Sequence, residues 1–347
     1  MLNASRLSRK SLTRKPLSLL LRALRIGSTA VNRLVSGVRR IQASLPTAGL
    51  KKTRPARLEE RFITGSYANH AGRRAYKLFI PSGYRNKPRP LIVMLHGCKQ
   101  SPEDFAAGTR MNVLAEENAC LVVYPAQPLS ANASRCWNWF IPRHQRRGDG
   151  EPSLIAGIVR DVASRHGADP RRIFVAGLSA GAAMAVVMGE TYPELFAGVG
   201  VHSGLAYGSA HDIPSAMVAM KGGRSGMAHL QAAAPAPRRK AVQAVPTIVF
   251  HGDRDTTVHP RNGAQIVARA GGDVQVLSEP QAPSRGRFTR SVRRDASGRS
   301  VLEWWEIHGA GHAWSGGSAA GSFTDPSGPD ATREMLRFFL EHARPAD

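Results

Sequence analysis

The sequence predicts an α/β fold in which helices cover both faces of a mostly parallel β-sheet. Short apolar runs of strand length alternate along residues 59–347 with segments of helical periodicity, which is typical of parallel sheets. Two of the runs, Leu91–Leu95 and Leu121–Pro125, are apolar at nearly every position, as strands covered on both faces are. Hydrophobic residues make up 42% of the 347 residues, which is enough for one large domain beginning near residue 59.

The individual elements follow in a regular order. Strands are predicted at 61–65, 75–80, 91–95, 121–125, 172–176, 199–202, 247–251 and 302–307. The first helix begins after Ser101, a suitable N-cap followed by Pro102 and Asp104. Further helices are predicted at 152–166, 182–188 and 329–343. Residues 209–243 interrupt this order, and we interpret them as a surface insertion, a plain loop in preference to a mobile lid.

Residues 1–58 differ sharply in charge from the rest of the chain. They hold 14 of the 48 Lys and Arg residues and no Asp or Glu, so they supply much of the net charge of +23. We predict a basic tail, flexible or partly helical, that can contact an anionic surface, and we expect no specific nucleic-acid partner. Its strongest apolar run, Leu19–Leu21, is too short for a standard signal peptide or a membrane span.

The segment Gly177–Gly181, with the sequence GLSAG, lies between a predicted strand and a predicted helix. A G-x-S-x-G in that context is typical of the nucleophile elbow of the α/β-hydrolase fold. The two glycines lack a Cβ, which lets the strand and the helix approach closely. The pattern therefore predicts Ser179 as a nucleophile on a strained turn.

A serine nucleophile needs a base and an acid, which follow it in this fold in the order Ser, Asp or Glu, His. The acid should follow the strand 247–251, where Asp253 and Asp255 compete. We predict Asp255 from its place in a G-x-x-D-x-x-V loop. The base should follow the last strand, where we predict His312 and interpret His308 as structural.

An oxyanion formed on the substrate needs two backbone N–H donors. The residue after the nucleophile, Ala180, supplies one of them. The loop Leu95–Cys98 follows an early strand and precedes a capped helix, so we predict the N–H of Cys98 as the second donor. The alternative interpretation of 96–98 is an ordinary turn at a strand end.

Several segments together resemble the esterase family of poly(3-hydroxybutyrate) depolymerases, which also contains feruloyl and acetylxylan esterases. They are LHGCKQSPEDFAAGTRMN (95–112), CWNWF (136–140), GEPSLIAGIV (150–159), DPRRIFVAGLSAGAAMA (169–185), YPELFAGVGVHSG (192–204), VPTIVFHGDRDTTVHP (245–260) and HGAGHAWSGG (308–317). The resemblance spans about 95–317 and excludes the tail. It implies the triad Ser179, Asp255 and His312, with Cys98 as an oxyanion donor.

The resemblance also implies a serine esterase that acts on short-chain polyhydroxyalkanoates without metal or cofactor, in an extracellular or periplasmic setting. A cytoplasmic location is the alternative, because no standard signal peptide is visible. Feruloyl or acetylxylan esterase activity is the alternative, and a non-catalytic basic surface-binding protein is a remoter one. A disulfide between Cys98 and Cys136 is implied as well, which leaves Cys120 as a buried thiol. Trp137, Trp139 and Trp314 lie on loops near the predicted site, and we expect substrate-pocket roles for them, Trp314 foremost.

Overall fold

The computed structural model describes residues 61–83, 87–222, 245–269, 277–280 and 288–345. The strands are β1 (Phe62–Asn69), β2 (Gly72–Phe79), β3 (Arg89–Leu95), β4 (Leu121–Pro125), β5 (Ala168–Leu178), β6 (Gly198–His202), β7 (Thr247–Gly252), β8 (Leu277–Pro280), β9 (Phe288–Arg294), β10 (Ser300–Ile307), β11 (Trp314–Ser315) and β12 (Thr324–Asp325). The helices are α1 (Pro102–Thr109), α2 (Met111–Glu117), α3 (Gly150–Arg165), α4 (Ala180–Thr191), α5 (Ile213–Met220), α6 (Arg261–Arg269) and α7 (Ala331–Leu340), with a 3₁₀ turn at Pro142–Gln145.

Ten of the strands form one sheet in the order β1-β2-β4-β3-β5-β6-β7-β10-β9-β8. The six strands from β4 to β10 in this order pair in parallel. The outer strands pair antiparallel. Because the parallel strands point the same way, the loops that follow β3, β5, β7 and β10 leave the sheet at one edge. This architecture confirms the predicted α/β-hydrolase fold.

Two hydrophobic cores lie on opposite faces of the sheet. One contains side chains of α3 and α4, including Val159 and Met184. The other contains side chains of α1, α2 and α7, including Phe105, Met111 and Phe338. The central strands are buried on both sides, which explains why their sequences are apolar without alternation.

Some elements were not predicted from the sequence, and one of them corrects the interpretation of residues 209–243. Helix α5 lies inside that segment, so residues 213–220 are not the plain loop expected. Asp212 and Ser215 form a capping box, and Pro214 occupies the first turn, where a missing N–H costs nothing. Helices α2 and α6 and strands β8 and β9 were missed as well.

Two predicted segments lie outside the described residues: the tail at 1–58 and the remainder of the insertion at 223–243. Among the described helices, none combines the length and the apolar character needed to cross a lipid bilayer.

Candidate active site

Ser179 occupies the turn between β5 and α4. Its backbone has φ 58° and ψ −119°, a left-handed region that is strained for a residue with a side chain. A Cβ on Gly177 would come within 2.4 Å of the Gly181 backbone, and one on Gly181 within 2.0 Å of the Leu95 carbonyl oxygen. Both glycines are therefore required for strand, turn and helix to approach this closely.

Asp255 and His312 are in direct contact, because the parallel strands β7 and β10 are neighbours and the loops after them are adjacent. His312 Nδ1 lies 2.6 Å from Asp255 Oδ2. An ionised carboxylate can only accept, so this contact assigns the ring proton to Nδ1 and leaves a lone pair on Nε2. The other carboxylate oxygen accepts the N–H groups of Thr257 and Val258 at 2.9 and 2.8 Å.

The electrostatics of this pair favour an ionised acid. Burial raises the pKa of Asp255, but hydrogen bonds from His251 and His312 outweigh burial and hold the pKa well below its usual range. The loop is also fixed to the histidine loop, since the N–H of Arg254 donates to the carbonyl of Ala310 at 3.0 Å. A charged, immobile carboxylate can orient His312 and stabilise its protonated form.

The alternative acid and base left open by the sequence are paired with each other. His308 Nδ1 lies 3.2 Å from Asp253 Oδ2, and the N–H of Gly309 donates to Asp253 Oδ1 at 2.7 Å. His308 Nε2 also contacts Thr289 Oγ1 on β9 at 2.8 Å. This second pair fastens the start of the loop that carries His312. Within the described ranges, no three His, Cys, Asp or Glu side chains are grouped to hold a metal ion.

The loop after β3 carries Cys98, whose backbone N–H differs from those of the residues on either side. Gly97 N–H donates to Gln100 Oε1 at 2.8 Å, and Lys99 N–H donates to the carbonyl of Ser134 at 2.7 Å. Among the described residues, no acceptor is found for the N–H of Cys98. This N–H is therefore available to a substrate oxygen, whereas its two neighbours are engaged.

Cys98 is covalently fixed through the disulfide with Cys136, which confirms the pairing that the resemblance implied. The bridge closes a sequence separation of 38 residues, for which chain entropy gives about 4 kcal/mol of stabilisation. Cys120 is a buried free thiol, and burial raises its pKa to about 12. Ala180 is the first residue of α4, so its N–H lacks an intrahelical acceptor and lies at the positive end of the helix dipole.

Two of the three tryptophans are enclosed and do not form the pocket wall that the sequence suggested. Trp314 is fully buried, and its indole N–H donates to Thr332 Oγ1 at 2.9 Å. Trp137 is also fully buried and donates its indole N–H to the carbonyl of His96 at 3.1 Å, while Trp139 is 6% exposed. Such enclosed rings pack and support loops, so the expected role of Trp314 and Trp137 in substrate contact is corrected to one of packing, whereas that of Trp139 stays a prediction.

His202, at the end of β6, is a buried residue that sequence reasoning missed. Its ring stacks against Phe250 and Trp314 at centroid distances of 5.8 and 5.1 Å. Its Nε2 accepts the N–H of Ser315 at 3.0 Å, and its carbonyl accepts the N–H of Ser179 at 2.9 Å. The one available signal was its position at the carboxyl end of a strand beside the predicted nucleophile.

Buried neutral histidines predict a stability that declines in acid. Burial lowers the pKa of His202 to about 3 and that of His96 to about 4, from an ordinary value of 6.5. Between the pKa of each histidine in the folded protein and the ordinary value of 6.5, the unfolded chain binds protons that the folded chain excludes. Each histidine therefore lowers the free energy of unfolding by about 1.4 kcal/mol per pH unit as the pH falls from about 6.5 to about 4.

Urea unfolding between about pH 7 and pH 4 measures this slope. His202→Gln keeps an acceptor for Ser315 but does not titrate, so we expect a shallower slope in that variant. A free energy of unfolding that stays flat below pH 6.5 would contradict the prediction.

Comparison with known proteins identifies similar sequences and folds. The sequence model of the family described as esterase PHB depolymerase matches residues 74–273. The chain is 32% identical over 249 residues to poly(3-hydroxyalkanoate) depolymerase C of Paucimonas lemoignei, covering 67% of this chain and 56% of that protein. It is 29% identical over 216 residues to a probable acetylxylan esterase A of Neosartorya fischeri, covering 58% of this chain and 55% of the relative.

A solved structure, the acetyl xylan esterase from Aspergillus awamori, superposes with a TM-score of 0.62 at 21% identity. The match covers 80% of this chain and 99% of that one, and at this identity it supports the fold alone. The chain spans about half the length of the curated relatives that it matches.

Proposed function

Since this chain belongs to the esterase PHB depolymerase family, we propose that it hydrolyses carboxylic esters through an acyl-enzyme on Ser179. The observation that carries the proposal is the 2.6 Å contact between His312 Nδ1 and a buried Asp255 carboxylate. That contact leaves His312 Nε2 as a base, on a loop at the sheet edge where the strained Ser179 turn also lies. A nucleophile, a base and an orienting acid are the groups that acyl transfer requires.

Acylation begins when His312 Nε2 takes the proton of the Ser179 hydroxyl as Oγ attacks the ester carbonyl carbon. The carbonyl oxygen becomes an oxyanion, which accepts the N–H groups of Cys98 and Ala180. The imidazolium of His312 is stabilised by the ionised Asp255. It then protonates the alcohol oxygen as the C–O bond breaks, and the alcohol leaves.

Deacylation repeats the sequence with water as the nucleophile. His312 removes a proton from water, whose oxygen attacks the acyl carbon, and the same two N–H groups stabilise the second oxyanion. Collapse returns the proton to Ser179 and releases the carboxylic acid. No step needs a group beyond these residues and water.

We propose short-chain polyhydroxyalkanoates, as polymer or oligomer, as the substrate class. The relative named as a poly(3-hydroxyalkanoate) depolymerase supports this class. Acetyl or phenolic esters of plant polysaccharides are the alternative, and the relative named as an acetylxylan esterase supports the acetyl esters. Both classes share the acyl chemistry and differ in the alcohol and acid that the site accepts.

Parallel assays on p-nitrophenyl butyrate, amorphous polyhydroxybutyrate, acetylated xylan and methyl ferulate test the proposal. Hydrolysis of the soluble butyrate ester together with the polyester supports the depolymerase assignment. Hydrolysis of the acetyl or feruloyl ester without the polyester supports the alternative. If the folded protein hydrolyses none of the four, the esterase proposal fails.

The disulfide also bears on where the protein acts. Disulfides persist in oxidising surroundings and are rare in reducing cytosol. The Cys98–Cys136 bridge supports a proposal that the enzyme works outside the cytosol, in an extracellular or periplasmic setting.

The basic segment 1–58 provides a test of the remoter alternative, a surface-binding protein without catalysis. We expect deletion of these residues to leave kcat on p-nitrophenyl butyrate within about twofold, because the proposed catalytic groups all lie after residue 95. Binding to anionic lipid vesicles, measured by co-sedimentation, should be largely lost with the 14 positive charges. Vesicle binding that survives the deletion unchanged would contradict the proposed role of the tail.

A further inference from the structure

We propose that Glu151 is a positioning residue that holds the loop bearing the oxyanion donor Cys98, an inference that rests on the proposed function. Glu151 is the second residue of α3 and is fully buried. It belongs to the segment GEPSLIAGIV, which the proposed chemistry does not use. A carboxylate enclosed in this way is costly unless it is hydrogen-bonded and paired, so its partners indicate its role.

Three N–H donors converge on the two carboxylate oxygens of Glu151. Asn138 donates its backbone N–H to Oε2 at 2.8 Å and its side-chain Nδ2 to Oε1 at 2.7 Å. Gln127 Nε2 donates to Oε1 as well. The guanidinium of Arg74, itself 8% exposed, lies 3.5 Å from Oε1 and supplies the balancing charge.

These donors connect Glu151 to both sides of the oxyanion loop. Gln127 Nε2 also donates to the carbonyl of Cys136, the disulfide partner of Cys98, at 2.9 Å. The backbone N–H of Gln127 donates to Nε2 of His96, a residue of the oxyanion loop, at 3.1 Å.

Asn138 adds a second connection, because its neighbour Trp137 donates to the carbonyl of His96 at 3.1 Å. The carboxylate of Glu151 thus fixes the segment 136–138, and that segment fixes residues 96–98 by a covalent bond and a hydrogen bond. Glu151 contacts no proposed catalytic group, so it acts only through this loop.

The network requires both oxygen atoms of the Glu151 carboxylate to accept hydrogen bonds. An amide at this position offers one oxygen and one NH₂, so Glu151→Gln would direct an N–H toward a donor of Asn138 or Gln127. The donors would separate, and the segment 136–138 would shift. A displacement of about 1 Å at a catalytic group can cost roughly 100-fold in rate.

A matched control is available in Glu303, a second buried carboxylate. Glu303 on β10 is 1% exposed and accepts from Arg290 Nη2, Arg337 Nη2 and Trp305 Nε1 at 3.0, 2.7 and 3.2 Å. Its partners lie on β9, β10 and α7, and none of them is a proposed catalytic group. Glu303→Gln therefore disturbs a comparable ionic network that is not connected to the oxyanion loop.

The test compares Glu151→Gln, Glu303→Gln and Ser179→Ala with wild type on p-nitrophenyl butyrate, at a temperature below every unfolding midpoint. We expect Glu151→Gln to lower kcat by about 10- to 100-fold with KM within about threefold. Glu303→Gln should keep both parameters within about threefold of wild type. The inhibition constant of butylboronic acid, whose tetrahedral serine adduct uses the oxyanion donors, should rise for Glu151→Gln in proportion to the loss in kcat.

Gln127→Leu provides a second variant if Glu151→Gln does not fold. It leaves Glu151 paired with Arg74 and Asn138 but removes the link to Cys136, and we expect a loss of kcat in the same direction. A folded Glu151→Gln or Gln127→Leu protein with wild-type kcat overturns the inference, as does an equal loss in Glu303→Gln. If Ser179→Ala retains wild-type activity, the proposed function itself has failed.

Discussion

Replacing Ser179 by alanine is expected to lower kcat/KM by a factor of about 10⁴ or more, because no other group supplies the oxygen that attacks the ester. This loss corresponds to about 5.5 kcal/mol of transition-state stabilisation. The turn keeps its close packing of glycines, and alanine is the smallest change that removes the hydroxyl. The folded structure should therefore persist, with a melting temperature near that of wild type.

Ser203→Ala is the matched control for this experiment. Ser203 follows β6, is fully buried and also has a positive φ, 51°, but its hydroxyl contacts His202 Nδ1 at 3.2 Å and no proposed catalytic group. We expect this variant to keep kcat/KM within about tenfold of wild type. If Ser179→Ala retains activity while Ser203→Ala loses it, the assignment of the nucleophile is wrong.

Asp255→Asn is expected to lower kcat by a factor of about 10⁴ with little change in KM. The amide oxygen would accept the N–H groups of Thr257 and Val258, so its NH₂ would face His312 Nδ1. That nitrogen would then have to accept, and the proton would move to Nε2, where the base needs a lone pair. The charge that stabilises the imidazolium would be lost as well.

Asp253→Asn tests the competing assignment directly. Asp253 contacts His308, and the same isosteric change there should leave kcat within about threefold, because the pair only fastens a loop. Steady-state kinetics on p-nitrophenyl butyrate measure both variants. An inactive Asp253→Asn beside an active Asp255→Asn would transfer the roles of acid and base to Asp253 and His308.

The sheet was predictable because local pattern and tertiary environment agree there. The strand ending at Leu95 and the strand ending at Leu178 are apolar at consecutive buried positions, and no alternative element fits such short runs. Helix α5 was missed although Asp212 and Ser215 carry a capping signal, because the surrounding Ala, Pro and Gly composition favours a loop. Helix α6 is short and mostly polar, although its few apolar residues fall on one helical face, a pattern that the sequence already shows.

The candidate site likewise has features that the sequence predicts and features that depend on tertiary packing. The contact between Asp255 and His312 follows from the order of loops along parallel strands, so sequence reasoning could anticipate it, although the catalytic assignment stays a prediction. The role of Trp314 could not be anticipated, because it is buried by contacts with Phe105 and Thr332, which are distant from it in the sequence. From the sequence alone, Glu151 is an ordinary acidic residue in the first turn of a helix, and only the folded structure shows its contacts with Asn138.

Covalent labelling tests most directly whether Ser179 is the nucleophile of an esterase. The folded protein is incubated with diisopropyl fluorophosphate, in which attack by a serine oxygen on phosphorus displaces fluoride, and the modified peptide is located by mass spectrometry. One adduct on Ser179, formed in step with the loss of p-nitrophenyl butyrate hydrolysis, is the predicted result. Complete loss of activity with the adduct on another residue, or full hydrolysis with Ser179 labelled, would contradict it.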